Sequence, residues 1–400
     1  MKDTTGWTNP EVLRWARERL NLTVDDVVRE AKKLSSKRFA TIREEDINAW
    51  ESGARLPSLA ELETLAEIYM CPAGYFFLDS VPEEELPLSF RGLTESEKAL
   101  SPVTQRCIRR FMELAQWAVR ILRESGQPFE VKIRPEQVSP GTCRVDEVVT
   151  EMRKQFGWDA KRKEVSQDID AFGWWRWAIE QRGVFCFELA LDPKDARGAS
   201  LWLEGYPFIL VNHKDMEAST GRIFTLLHEF AHLISANDGM VCEFGSTDHE
   251  HDAEAFANRF AARMLITPEE LMERLRELGK HRYSENWSDA LLDKIRTPFF
   301  ASRHVVAVML EELGLAPKGF YKEKKQRWEE KYQHWRPFFR GGGRPTLNQQ
   351  KMQEIGYSLA HLLARTSDYE GFSWFEASLM LGMKVEKTEA FIRWVKSQNL

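Results

Sequence analysis

Apolar residues recur at helical spacing through most of the chain, and the places where that spacing changes mark out its parts. From Asn9 to about Leu78 the pattern predicts four short helices. Pro10 suits a first turn, and Val12, Leu13, Ala16 and Leu20 form one stripe. Thr23 is placed to cap a second helix, with Asp25 and Asp26 in its acidic first turn and Val24, Val27, Val28 and Ala31 facing inward. A third helix runs through Ile47 and Trp50 to Gly53. A fourth, capped by Ser58, carries Leu59, Leu62, Leu65, Ala66 and Tyr69. The proline- and acid-rich run from Ser80 to Arg91 reads as a linker. It leads into a connecting helix over 103–124 with Ile108, Phe111, Leu114, Ala115, Ala118 and Leu122 on one face.

Val145 to Phe156 and Phe172 to Gln181 add two helices, and the tryptophans at 174, 175 and 177 read as core and rim. Gly183–Glu188, Ala199–Glu204 and Pro207–Asn212 then read as three short strands. A helix follows from about Ser219 to Ser235. After a polar loop from Gly239 to Asp248, another extends to Ile266, where Thr267-Pro268 stops it. Ala253, Ala257 and Ala261 recur every fourth residue on it, a face smooth enough for close packing. From Gly319 to Arg340 a charged helix keeps Trp328, Tyr332 and Trp335 on a drier side. Beyond the glycine-rich joint at 340–345, helical stretches from Gly356 to Leu363 and from Trp374 to Leu381 open a packing or dimerisation module. The elements predict an α+β fold, mainly α. They divide as a short-helix bundle at 1–80, a linker and connecting helix at 81–125, a central domain with a small sheet at 126–318, and the charged helix, joint and helical module at 319–400.

Composition narrows the class. A chain of 400 residues exceeds the usual size of one domain, and its 43% hydrophobic and 30% charged residues are those of a globular protein in water. No apolar run is long enough to span a bilayer, and Met1 to Thr5 lacks a secretion signal's apolar stretch, so a cytoplasmic protein without a membrane partner is expected. The cysteines at 71, 107, 143, 186 and 242 are scattered and never form a CxxC pair, which points away from a disulfide framework or a zinc–thiolate knot. A net charge of −6 supplies no bulk attraction to nucleic acid, leaving any such binding to a local patch.

The chemistry concentrates in Leu226-Leu227-His228-Glu229-Phe230-Ala231-His232-Leu233-Ile234. Residues i and i+4 project from one helix face, so His228 and His232 can share a metal ion with Glu229 beside it. Zinc held this way with one more protein ligand acidifies a water, and an adjacent carboxylate takes its proton as it attacks a carbonyl. Glu254, in the first turns of the next helix, is well placed as that third ligand. Glu243, His249, His251 and Asp252 are its rivals. Asn258 could steady a ligand from one turn further on, and Tyr206, His249 and His251 are candidates to stabilise an oxyanion.

At His228-Glu229-Phe230-Ala231-His232, followed by Glu254-Ala255-Phe256-Ala257-Asn258 and Phe260 through Leu265 to Pro268, the chain resembles the ImmA/IrrE metallopeptidase family. The likeness reaches back to Ile209-Leu210-Val211-Asn212 and forward to Phe300-Ala301-Ser302. It implies one zinc ion held by His228, His232 and Glu254, with Glu229 as general base. It also implies a site-specific endopeptidase that cuts a transcriptional repressor under stress. Leu22-Thr23, Ile47 through Gly53, Pro57, Leu62, Leu65-Ala66 and Pro72 through Phe77 resemble the Xre-type helix-turn-helix family, whose third helix enters the DNA major groove. That likeness makes Lys37, Arg38, Arg43, Asn48 and Arg55 the candidate DNA contacts, although Glu44, Glu45 and Asp46 set three carboxylates against phosphate. The expected partners are therefore a protein substrate, most naturally an Xre-type repressor, DNA through 1–80, and a second copy as a homodimer. The competing function is a DNA-binding or antitoxin-like regulator whose metal site is structural or sensory.

Overall fold

The computed structural model describes residues 8–20, 22–34, 40–69, 71, 73–81, 100–135, 137–139, 144–193, 195–214, 218–235, 248–332 and 345–398. Cα packing divides the chain into two compact units, Met1–Arg106 and Cys107–Leu400. The described residues form seventeen α-helices and one three-stranded sheet, an α+β protein that is mainly α.

In the first unit α1 (Pro10–Glu18), α2 (Val24–Leu34), α3 (Glu44–Glu51) and α4 (Leu59–Tyr69) are followed by a 3₁₀ turn at Ala73–Phe77. Their starts are set by local capping. The Asn9 side chain accepts from the Glu11 N–H at 3.0 Å, and Thr23 and Asp26 cap each other's backbone at 3.2 and 2.9 Å. Val12, Leu13, Val27, Ile47, Trp50, Leu62, Leu65 and Phe76 fill the core. Arg17 donates to the buried Glu51 carboxylate at 2.7 Å, tying α1 to α3.

The second unit is built around the sheet. Helices α5 (Pro102–Ser125), α6 (Val145–Phe156), α7 (Trp158–Lys161) and α8 (Asp168–Glu180) precede β1 (Phe185–Leu189), β2 (Gly198–Leu203) and β3 (Tyr206–Asn212). The spatial order is β1-β3-β2. β1 runs parallel to β3 with Phe185 beside Phe208, and β2 lies antiparallel on β3 with Gly198 beside Val211. Then come α9 (Ala218–Ser235), α10 (Asp248–Leu265), α11 (Pro268–Glu277), α12 (Asp289–Arg296), α13 (Arg303–Glu312) and α14 (Phe320–Tyr332). The C-terminal helices are α15 (Leu347–Thr366), α16 (Trp374–Leu381) and α17 (Val385–Ser397).

Both faces of the sheet are covered, which is why β1 and β3 read as continuous apolar runs. Cys186, Ile209 and Val211 face α8, α9 and α10, where Trp175, Leu227, Phe230 and Phe260 are fully buried. Phe185, Phe187, Phe208 and Leu210 face the other way, onto Leu114 and Ala118 of α5 and onto Ile355, Leu359, Leu363 and Phe391 of the C-terminal helices. The helix that the sequence suggested as a connector, and the terminal helices it suggested as a module, thus close one face of this sheet. Their apolar stripes find a partner in the phenylalanines of β1 and β3.

α15 begins nine residues before the stretch that periodicity marked, and it breaks at Gly356, whose backbone sits at φ 75° and ψ 174°. Two charged residues one turn apart on α8 satisfy the broken ends. Arg176 donates to the Gln353 carbonyl at 2.6 Å, and Glu180 accepts from the Ser358 N–H at 3.1 Å. Arg176 also pairs with Glu188, which accepts in turn from Arg222 at 2.8 Å. A side chain at position 356 would strike Glu180 Oε1, 2.3 Å from where its Cβ would lie. Among the described residues no helix is long and apolar enough to cross a membrane.

Candidate metal centre

α9 is apolar on nearly every side. Leu226, Leu227, Phe230, Ala231 and Leu233 are buried, so the helix is locked in place by packing. α10 lies close beside it because Ala257 and Ala261, both fully buried, offer no bulk at the contact. This juxtaposition brings Glu254 over the histidine pair. His228 Nε2 and His232 Nε2 are 3.1 Å apart, and Glu254 reaches them at 3.5 and 3.1 Å. The three ligand atoms all lie within 4.8 Å of one another. His232 is 7% exposed whereas the Glu254 side chain is 51% exposed, so the group is closed on the helix side and open toward Glu254.

The electrostatics prepare these groups for a cation. Burial pushes the His228 imidazole down to about 4, and the neighbouring His232 adds to that, while Glu254 and Asn258 pull the other way. The Glu254 carboxyl is held below its usual range by a hydrogen bond from His232 and by the charge of both histidines, against its partial burial. Neutral imidazoles and an ionised carboxylate are the ligand forms. Two imidazole nitrogens 3.1 Å apart place lone pair against lone pair unless a proton or a cation lies between them. The residues fit a divalent metal ion.

Glu229 points back toward the sheet. It is 6% exposed, and its Oε2 accepts a hydrogen bond from the buried Ser200 hydroxyl at 2.9 Å. Burial pushes its carboxyl up to about 7, with His232 and Ser200 opposing. Two residues before Ser200, a Cβ on Gly198 would lie 3.0 Å from Glu229 Oε1 and 2.5 Å from the Thr225 methyl. The Trp202 indole donates to the Leu233 carbonyl at 3.0 Å and fixes the edge strand β2 to α9. Neither Ser200 nor Gly198 is picked out by sequence reasoning. The available signal is a glycine inside a strand, which marks a close approach of other atoms.

The remaining candidates fall elsewhere. Asn258 is exposed one turn beyond Glu254, and its influence on the His228 imidazole is to raise its pKa. Tyr206 shares a strand face with Phe208 and Leu210 and packs among the residues turned away from α9, against Phe129. The structure therefore separates it from the ligand triad, because side chains alternate along β3. His249, His251 and Asp252 lie in the first turns of α10, and their side chains, like all of Glu243, are outside the described residues. Of the candidate DNA contacts, Lys37 and Arg38 are outside the described residues, and Arg43 and Asn48 are exposed at the start and middle of α3. Arg55 pairs with Asp46 and lies over the Trp50 ring at 5.5 Å from its centroid.

A histidine pair on one helix, a carboxylate from the next and a small mixed sheet alongside are the components of a metallopeptidase. Residues 179–311, a third of the chain, match the family model described as the IrrE N-terminal-like domain, a peptidase family of the metallo type. The match takes in β1 to β3 and α9 to α12, hence the whole triad and Glu229. No curated protein and no solved structure matches the chain.

Proposed function

We propose that the protein is a zinc-dependent endopeptidase of the cytoplasm that cuts a regulatory protein, with an Xre-type repressor as the first substrate to test. The observation that carries this reading is the placement of a buried carboxylate, Glu229, beside a three-residue ligand set that is open on one side. His228, His232 and Glu254 would hold the ion. When bound, zinc supplies Lewis acidity, which activates water near neutral pH and polarises a carbonyl. Glu229 accepts the proton of the attacking water and returns it to the departing amine. α9 excludes solvent from behind, and the open side at Glu254 admits the substrate.

The test is metal analysis of the purified protein, followed by incubation with the Xre-type proteins encoded beside it. One zinc per chain and a single cut in one of those proteins are the expected results. A folded protein that takes up no zinc, or a zinc-loaded protein whose Glu229→Gln variant cuts at the wild-type rate, would overturn the reading. The alternative, a DNA-binding regulator with a structural or sensory metal, draws on the exposed Arg43 and Asn48 of α3. Salt-dependent promoter binding that survives Glu229→Gln would favour it.

A further inference from the structure

We infer that Ser200 is a positioning residue for Glu229: its hydroxyl holds one carboxylate oxygen so that the other is presented to the reacting water. This rests on the peptidase reading of the site. Ser200 is 3% exposed in β2, and its hydroxyl donates to Glu229 Oε2 at 2.9 Å. Glu229 is buried as well, at 6% exposed, so the pair is enclosed between β2 and α9. A hydroxyl enclosed in this way is costly unless bonded, and a carboxylate is a strong acceptor for it.

The second observation is Gly198, the preceding residue on the same face of β2. A Cβ there would lie 3.0 Å from Glu229 Oε1 and 2.5 Å from the Thr225 methyl, so only a glycine lets β2 come this close to the carboxylate. β2 therefore meets the two oxygens differently, with a hydrogen bond to Oε2 and only the bare Gly198 backbone beside Oε1. The strand that does so is pinned to α9 by the Trp202 indole on the Leu233 carbonyl. General-base catalysis depends on holding the base within hydrogen-bond reach of the proton it takes, and a carboxylate free to rotate about its last torsion spends less time there. The geometry assigns Ser200 to fixing that torsion.

The experiment uses the full-length, zinc-loaded protein with a randomised pool of fluorescence-quenched peptides, and the best-cleaved peptide is carried forward. Ser200→Ala should keep the wild-type zinc content and KM and lose about 10- to 100-fold in kcat, the worth of one hydrogen bond to a charged group. Ser200→Thr, which restores the hydroxyl, should recover most of that loss. In a Glu229→Gln background the added Ser200→Ala change should leave the residual rate where it was, because its route of action is already gone. A wild-type kcat for Ser200→Ala, a loss confined to KM or zinc content, or an equal further loss in the Glu229→Gln background would each overturn the assignment. A zinc-loaded wild type that cleaves no peptide in the pool would instead remove the peptidase reading and the inference with it.

Discussion

Glu229 is enclosed by α9 on one side and β2 on the other, and its chemistry is set by what those walls allow. Replacing it with glutamine keeps the shape and should leave zinc binding unchanged, while cleavage falls by about 10²- to 10⁴-fold, the usual contribution of a general base. Zinc stoichiometry and turnover, measured on the same preparation, check this. A second carboxylate shows the opposite balance. Burial acts to raise the Glu270 carboxyl, but hydrogen bonds from Arg153 at 2.8 Å, from Arg162 at 2.6 Å and from the Thr267 N–H outweigh it and hold the group at about 2. A folded-state value below the unfolded one stabilises the protein above the unfolded value and is lost as pH falls toward 2. Glu270→Gln should therefore lower the melting temperature at pH 7, and the gap should shrink below about pH 4.5 as the unfolded carboxyl protonates. An undiminished gap at pH 3 would contradict the assignment. At this scale the clustering of His228, His232 and Glu254 was legible because helical spacing alone puts His228 and His232 on one face, and the alanine face of α10 pointed to Glu254. Ser200 was hidden because a lone serine in a strand signals nothing until the strand's position is known. Tyr206 was misplaced by the alternation of side chains, which put it on the far face of the sheet.

Between elements, the break in α15 shows what periodicity does not reveal. Arg176 lies among tryptophans, in a run that reads as core and rim. The structure uses it, with Glu180, to satisfy the backbone groups that the break at Gly356 leaves without helical partners. The sequence shows neither the break nor its caps, because the contact joins residues about 180 positions apart. Gly356→Ala meets two penalties: a backbone region that only glycine adopts freely, and a Cβ placed 2.3 Å from Glu180 Oε1 and 2.4 Å from the Cys186 carbonyl. Backbone strain alone costs about 1–3 kcal/mol, so the variant should unfold at clearly lower denaturant concentration. An unchanged midpoint would mean that the break is not held as described. The contact between α9 and α10 is as demanding. Ala257→Leu should cost about 1–3 kcal/mol by overpacking and weaken zinc binding as well, since Glu254 is carried on the displaced helix. Calorimetric titration with zinc would register the second effect.

The sheet of the second unit carries α9 on one face and α5 with α15 to α17 on the other. Ending the chain at residue 344 would bare Phe185, Phe187, Phe208 and Leu210, and the truncated protein should aggregate or bind hydrophobic dyes. A soluble, cooperatively melting 1–344 fragment would show that this face needs no cover. Zinc should act on the folded molecule as a ligand does, adding about 2.7 kcal/mol at a hundred times its dissociation constant and raising the melting temperature in a way that a chelator reverses.

The closure of the sheet by α15 to α17 also fixes an order of events during synthesis. A ribosome delivers β1, β3 and α9 well before α15 to α17, and at about 5–20 residues per second the phenylalanine face waits roughly 10 to 40 seconds for its lid. The His228, Glu229 and His232 constellation therefore exists as sequence before its scaffold is complete. Until those helices dock, the phenylalanine face of the nascent chain stays open to water and to other apolar chains.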